Sequence, residues 1–115
     1  MHPKFDLEER TLKFGKKIVN FCKTLPPDKV NFRLVDQLIR SGTSIGANYR
    51  EANETESPKD FKHKILICLR ESKETVFWLE LIKEANQNFE SDIAVLIGES
   101  KEYVKIFATI FAKFN

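Results

Sequence analysis

Two pairs of glutamates come closest to a catalytic pattern in this chain. Glu51 and Glu54 are one helical turn apart, and so are Glu71 and Glu74, a spacing that general acid–base chemistry can use. Neither pair has a histidine partner in the sequence pattern, because His63 stands alone between two lysines. A lone histidine on a charged helix face is typical of a surface residue, so the glutamate pairs do not predict catalysis.

Other patterns also lack what a catalytic, cofactor or metal site requires. The Glu-x-x-His spacing of di-iron bundles does not occur. Gly42 and Gly46 are spaced as in part of a phosphate-binding loop, but they lack the strand-to-helix context of such a loop. Cys22 and Cys68 lie in apolar helical patterns and form no Cys-x-x-Cys pair, which predicts buried free thiols. We therefore expect no catalytic residues, no cofactor and no metal.

The composition indicates a single globular domain without a strong charge preference. The chain has 115 residues, of which 42% are hydrophobic, and its 19 basic and 17 acidic residues give a net charge of +2. This charge neither requires nor excludes a nucleic-acid partner. The N-terminal sequence MHPKFDLEER has no apolar signal segment, and no apolar run approaches the ~18 residues of a membrane span. These features predict a cytoplasmic protein with no membrane partner.

The hydrophobic spacing is helical along the whole chain. Apolar residues recur at intervals of three and four, and prolines mark the boundaries of the segments. The predicted helices span about 5–24, 31–54, 58–86 and 91–113. Ser57, Pro58 and Asp60 combine an N-cap, a first-turn proline and a capping box, which is the clearest helix start. The sequence predicts an all-α, up-down-up-down four-helix bundle, with residues 1–115 as one domain.

The segment Gln37–Glu54 carries small and polar residues where a helix normally buries leucine or isoleucine. Gly42 and Gly46 each cost roughly 1 kcal/mol relative to alanine inside a helix. A chain accepts this cost where another backbone comes close or where a polar cluster is buried, and the first is the better interpretation of the two glycines. Both glycines therefore predict close helix packing, and we expect the segment to serve assembly and not catalysis.

An antiparallel hairpin would bring charged residues of the second and third helices together. Arg40 is predicted to bind Glu71 or Glu74 through its planar donor fork. Lys64 is predicted to lie near Glu51. The predicted polar network comprises Arg40, Ser44, Asn48, Glu51, Lys64, Glu71 and Glu74. A buried network of this kind would fix helix register and partner choice more than stability, and the alternative is an ordinary solvated face.

The first helix is the most basic element. Its acidic residues, Asp6, Glu8 and Glu9, all lie in the first turn, where they favour the helix dipole. The rest of its charged surface is positive and could contact phosphates. The alternative is a lysine-rich face that only meets solvent. The residues predicted to contact nucleic acid are Arg10, Lys13, Lys16, Lys17 and Lys23.

The apolar coverage is wider than one bundle core needs. The third helix is apolar on two faces, and the fourth carries Tyr103, Ile106 and Ile110 beside its main stripe. Contiguous exposed apolar patches usually mark interfaces. The pattern therefore predicts self-association, and the alternative is a thick core in a chain with ten phenylalanines.

Three motifs in the centre of the chain carry a family resemblance. Leu38–Ala52 reads LIRSGTSIGANYREA, Asp60–Lys64 has the form D-F-x-x-K, and Glu71–Leu79 has the form E-x-x-E-T-x-x-W-L. In this order and separation they resemble the S23 ribosomal protein family, whose members are encoded within intervening sequences of 23S rRNA genes and elsewhere. The ribosomal label of that family reflects gene location.

The resemblance implies a left-handed four-helix bundle that assembles as a homopentameric ring and has no catalytic residues. The family is similar to the accessory variability proteins of diversity-generating retroelements, which are pentameric barrels with basic surfaces that engage nucleic acid and a reverse transcriptase. We therefore expect a non-enzymatic oligomeric bundle that binds structured RNA, DNA or a nucleoprotein partner. The alternative is a protein-interaction scaffold that recruits another protein, such as a reverse transcriptase.

Overall fold

Four antiparallel α helices make up the structure, a computed structural model that describes residues 3–114 and the side chains of residues 7–114. In chain order they are α1 (Pro3–Cys22), α2 (Lys29–Glu54), α3 (Pro58–Ala85) and α4 (Glu90–Ala112). One 3₁₀ turn, Gln87–Phe89, joins α3 to α4. The predicted all-α, up-down four-helix bundle is confirmed. None of the helices in residues 3–114 is long and apolar enough to cross a membrane.

Local capping chemistry explains where the helices begin and end. Asp28 caps α2, because its carboxylate accepts the backbone N–H of Asn31 at 2.8 Å. This cap starts α2 at Lys29, two residues before the predicted start. Ser57, the predicted cap of α3, accepts the backbone N–H of Asp60 at 3.3 Å. The observed ends of the other helices lie within two residues of the predicted ones.

The core joins all four helices through large side chains. Phe14 of α1 meets Tyr103 of α4 edge to face, with ring centroids 5.3 Å apart. Tyr49 of α2 lies 5.7 Å from Phe107 of α4. The Tyr103 hydroxyl lies 2.5 Å from the Glu99 carboxylate and 3.1 Å from the backbone carbonyl of Arg10. These contacts close the bundle between its first and last helices.

Small hydroxyl side chains occupy several core positions without leaving polar atoms unpaired. Each of them donates to a carbonyl one turn earlier in its own helix, so its hydrogen bond needs no partner from a neighbouring helix. Their bulk is smaller than that of leucine, which lets the helices approach each other. The fully or nearly fully buried examples are Thr11, Ser41, Ser72, Thr75 and Ser100.

The two glycines of α2 lie against α1. A Cβ atom at Gly42 would come within 3.0 Å of the side chain of Ile18, which is fully buried. A Cβ atom at Gly46 would lie 3.1 Å from the Thr11 hydroxyl oxygen and 3.2 Å from the Thr11 carbonyl carbon. The glycines therefore permit close packing of α2 on α1, on the side of α2 away from the charged pairs with α3.

Replacing Gly46 by alanine is expected to lower the free energy of unfolding by about 1–2 kcal/mol. Alanine gains helix propensity, but its methyl group would press on the backbone of Thr11, which cannot rotate away. Gly98→Ala is the matched control, because Gly98 is exposed and nothing lies within 4 Å of the position that an alanine methyl group would take there. That variant should gain about 0.5–1 kcal/mol. Urea unfolding of both variants checks this, and equal stabilisation would contradict the close contact.

Candidate functional site

Arg40 binds both candidate carboxylates of α3. Its Nη1 atom lies 3.2 and 3.3 Å from the two carboxylate oxygens of Glu71, and its Nη2 atom donates to Glu74. The indole N–H of Trp78 donates to the same Glu74 carboxylate at 3.1 Å. A planar guanidinium suits this arrangement, because it directs several donors to two acceptors at once. The arrangement fixes the register of α2 on α3.

Burial and a like charge act together on Glu71. Removal from water raises the pKa of its carboxyl group above the usual value, and the neighbouring Glu74 raises it further. The guanidinium of Arg40 lowers the pKa but does not cancel these effects. The ion pair therefore offsets only part of the free-energy cost of burying the Glu71 carboxylate. This is consistent with a role in fixing the register of α2 on α3.

The polar residues predicted to form one network separate into distinct groups. Lys64 binds Glu51 at 2.7 Å, about three helical turns from Arg40 along α2. Ser44 and Asn48 do not join the charged side chains in the described structure. They donate to α2's own carbonyls, those of Arg40 and Ser44 respectively. The predicted pairs of Arg40 with Glu71 and Glu74 and of Lys64 with Glu51 are present, but the described contacts do not link them into one interlocked network, and the Arg40 side chain is 46% exposed.

A double-mutant cycle on Arg40 and Glu71 is expected to give a coupling free energy of about 0.5–1 kcal/mol. The Arg40 Nη1 atom reaches both oxygens of Glu71, but the Arg40 side chain is 46% exposed, so solvent screens much of the Coulomb energy. Alanine substitutions, singly and together, followed by urea unfolding provide the measurement. Lys13 and Glu9, 3.7 Å apart on one exposed face of α1, supply the control pair with weaker coupling. A coupling free energy no larger than that of the control pair would contradict a role of Arg40 and Glu71 in fixing the register of α2 on α3.

The basic stripe predicted on α1 is largely compensated by acidic residues. Arg10 pairs with Glu102 of α4 at 3.2 Å, and Lys17 pairs with Glu99 of α4 at 3.0 Å. The positive charge of the stripe is therefore partly neutralised at these two positions. Lys13 has its partner within α1, whereas the exposed Lys16 and Lys23 have no acidic partner in the described part of the chain. Nucleic-acid contact by α1 stays a prediction.

A second set of lysines, not identified from the sequence, surrounds a groove between α3 and α4. Lys73 of α3 and Lys101 and Lys105 of α4 are all exposed. Within residues 7–114 none of the three forms an ion pair. The spacing of Lys101 and Lys105, one helical turn apart, was the available signal. Lys73 joins them only through the packing of α3 on α4.

An open apolar groove of about 640 Å³ lies between α1 and α2. Leu12 and Val19 line it and are 46% and 40% exposed. Its other lining residues include Gly15, Thr43 and Gly46, so the close helix contact forms its floor. Apolar side chains left in water around a concave surface are typical of an interaction site.

Glutamates and cysteines considered for catalysis lie in ion pairs or are buried in the core. Glu51 binds Lys64, and the pair Glu71 and Glu74 shares Arg40. Burial raises the pKa of the Cys22 thiol to about 11 and that of the Cys68 thiol to about 12, so both stay protonated at neutral pH. Among the residues that the structure describes, no three His, Cys, Asp or Glu side chains come together to hold a metal ion.

Comparison with known proteins identifies close relatives of the whole bundle. Residues 4–109 match the family described as 23S rRNA-intervening sequence protein. A crystal structure of a protein of unknown function from the S23 ribosomal protein family of Bacteroides thetaiotaomicron is 34% identical. The alignment covers 96% of this chain and 99% of that one, with a TM-score of 0.87. No protein of curated function matches the chain.

The family match and the structural match agree in extent. Each spans nearly all of the described helices, and the identity of 34% lies above the range in which similarity shows the fold alone. The family resemblance of the central motifs is thereby confirmed. The chain belongs to the 23S rRNA-intervening sequence protein family, also known as the S23 ribosomal protein family.

Proposed function

We propose that this protein is a non-enzymatic helical bundle that binds structured RNA as an assembly of identical copies. The observation that carries the RNA contact is the set of exposed lysines without acidic partners in the described structure. They include Lys16, Lys23, Lys73, Lys101 and Lys105. Exposed ammonium groups of this kind can bind the phosphate groups of a nucleic acid as point charges. The family description refers to where the genes of its members lie, so the choice of RNA over other polyanions is part of the proposal and is tested by the nucleic acid that co-purifies.

The apolar groove between α1 and α2 supports self-assembly. It exposes Leu12 and Val19 beside Gly15 and Gly46, where a second copy could approach the backbone closely. Desolvating these side chains would favour association by roughly 25 cal/mol for each Å² of apolar surface buried. The pentameric ring, the left-handed bundle and the likeness to accessory variability proteins stay predictions from the family resemblance. A cytoplasmic location stays a prediction from the features of the sequence.

The second candidate is a scaffold that recruits another protein, and the same groove favours it. If the protein does not assemble with itself, the groove of about 640 Å³ stays open to an apolar segment of a partner. A reverse transcriptase is the partner that the family resemblance implies. The two candidates differ in mass, because self-assembly fills the groove with copies of the chain.

Light scattering on purified protein, followed by sequencing of co-purified nucleic acid, tests the proposal. We expect a mass of two or more chains of 13.4 kDa each. We also expect RNA to be enriched over a mock purification. A monomer that binds RNA would contradict the assembly and leave the groove to another protein. A protein without RNA under low-salt purification would contradict the RNA contact.

A further inference from the structure

We propose that the groove between α3 and α4 contacts the phosphate backbone of RNA, an inference that rests on the proposed RNA binding. This groove forms a concavity of about 340 Å³. Its lining residues are Lys73, Val76, Lys101, Val104 and Lys105. Every charged residue of that lining is a lysine, and none of the three has an acidic partner in the described structure.

Three lysines surround the groove. Lys101 and Lys105 follow each other along α4 at a rise of ~6 Å, and Lys73 lies on α3. The lysine stems and the valines give the groove an almost entirely apolar lining, so the ammonium groups lie around it in solvent. An anionic strand that crosses the groove could contact all three of them.

Charge compensation distinguishes this groove from the α1–α4 contact and from a second concavity between α3 and α4. On α1, Arg10 and Lys17 already bind Glu102 and Glu99. At the other end of the α3–α4 side, a second concavity is lined by Glu80, Glu84 and Glu90 together with Lys83. A phosphate backbone would be repelled there and attracted to the lysine groove.

The side chains of the groove can hold a backbone but cannot read bases. Lysine ammonium groups act as point charges on phosphates. Val76 and Val104 offer neither an aromatic face for stacking nor a hydrogen-bonding group. We therefore infer that binding in this groove depends on salt and on charge, and not on nucleotide sequence.

Two charge-reversal variants test the location. The first is Lys73→Glu/Lys101→Glu/Lys105→Glu, and the control is Lys29→Glu/Lys59→Glu/Lys113→Glu, which changes the net charge equally at exposed lysines that line neither groove. Fluorescence anisotropy with a labelled RNA hairpin, and with a hairpin of scrambled sequence, gives the affinity at several salt concentrations. If the loss of lysine charge causes the effect, the glutamine versions of both variants should rank in the same order of RNA affinity. Circular dichroism verifies that every variant folds.

We expect the α3–α4 variant to lose roughly 10-fold or more in affinity at low salt, and the slope of log K against log salt to flatten by about 2–3. The control variant should lose much less, and the scrambled hairpin should bind as the original does. An α3–α4 variant that binds as the wild type does, or loses no more than the control variant, would overturn the location while RNA binding stands. A wild-type protein that does not bind the hairpin would overturn both. Equal affinity of the wild type for poly-glutamate would point to an acidic protein and overturn the RNA assignment.

Discussion

Glutamates at Leu12 and Val19 are expected to convert the proposed assembly into monomers. Both side chains project into the α1–α2 groove and are large apolar groups left substantially in water. In an assembly that covers this groove, each new carboxylate would be buried without a designed partner. Burying an unpaired charge costs several kcal/mol, so two carboxylates should shift the association equilibrium by orders of magnitude.

Light scattering at matched concentration measures this effect. Val95→Glu is the control, because Val95 of α4 is 67% exposed and does not line the groove. The control should keep the wild-type mass, and the Leu12→Glu/Val19→Glu variant should scatter as a single folded chain. Retention of the wild-type mass by the double variant would place the interface elsewhere on the bundle.

Replacing Asn31 by leucine is expected to lower the free energy of unfolding by about 2–4 kcal/mol. The side-chain amides of Asn31 and Asn86 exchange two hydrogen bonds of 2.9 and 2.8 Å and are buried. Each amide also donates to a backbone carbonyl, Asn31 to that of Pro26 and Asn86 to that of Ile82. Leucine would leave the Asn86 amide without its partner, and a buried unsatisfied polar group carries its full desolvation penalty.

The double variant Asn31→Leu/Asn86→Leu makes this prediction specific. It removes both amides, so it should be less destabilised than the sum of the two single variants. The control is Asn88→Leu, because Asn88 is exposed. Chemical denaturation of the four variants provides the free energies. A single Asn31→Leu variant as stable as the control would show that the amide pair contributes nothing to joining α2 and α3.

The sequence predicts contacts between helices that are neighbours along the chain better than contacts between distant ones. Arg40 meets Glu71 and Glu74 because the short α2–α3 connection fixes an antiparallel register, which can be read from loop position. Lys17 and Glu99 are 82 residues apart in the sequence, and they pair only because α1 lies beside α4 in the bundle. Helical periodicity gives the faces of α1 and α4, but not which faces meet.

The same limit explains why the sequence did not reveal the lysines of the α3–α4 groove as a candidate RNA surface. Sequence reasoning favours α1, because its cations are dense and its acids are confined to the first turn. The acids that compensate this helix, Glu99 and Glu102, come from α4. The lysines of the α3–α4 groove are sparse on each helix and become a cluster only in three dimensions. Local charge density in the sequence is therefore a poor guide to the field of a closed bundle.

The small residues of Gln37–Glu54 have two separate structural roles. Gly42 and Gly46 let α1 approach α2, whereas Arg40 on the opposite side fixes α3. Both roles concern helix packing, and the floor of the α1–α2 groove is a consequence of the first. Gln37–Glu54 thus shapes the α1–α2 groove, which is the surface proposed for self-assembly. The proposed RNA surface, the α3–α4 groove, lies on the other side of the bundle.

The salt dependence of RNA binding by the wild-type protein tests the central claim most directly. Affinity for a labelled RNA hairpin is measured by anisotropy from low to physiological salt. We expect log K to fall linearly with log salt with a slope of about −2 to −3 for one lysine groove, and more steeply if several copies contact the RNA. No binding at low salt, or an affinity that does not change with salt, would contradict a function based on these lysines.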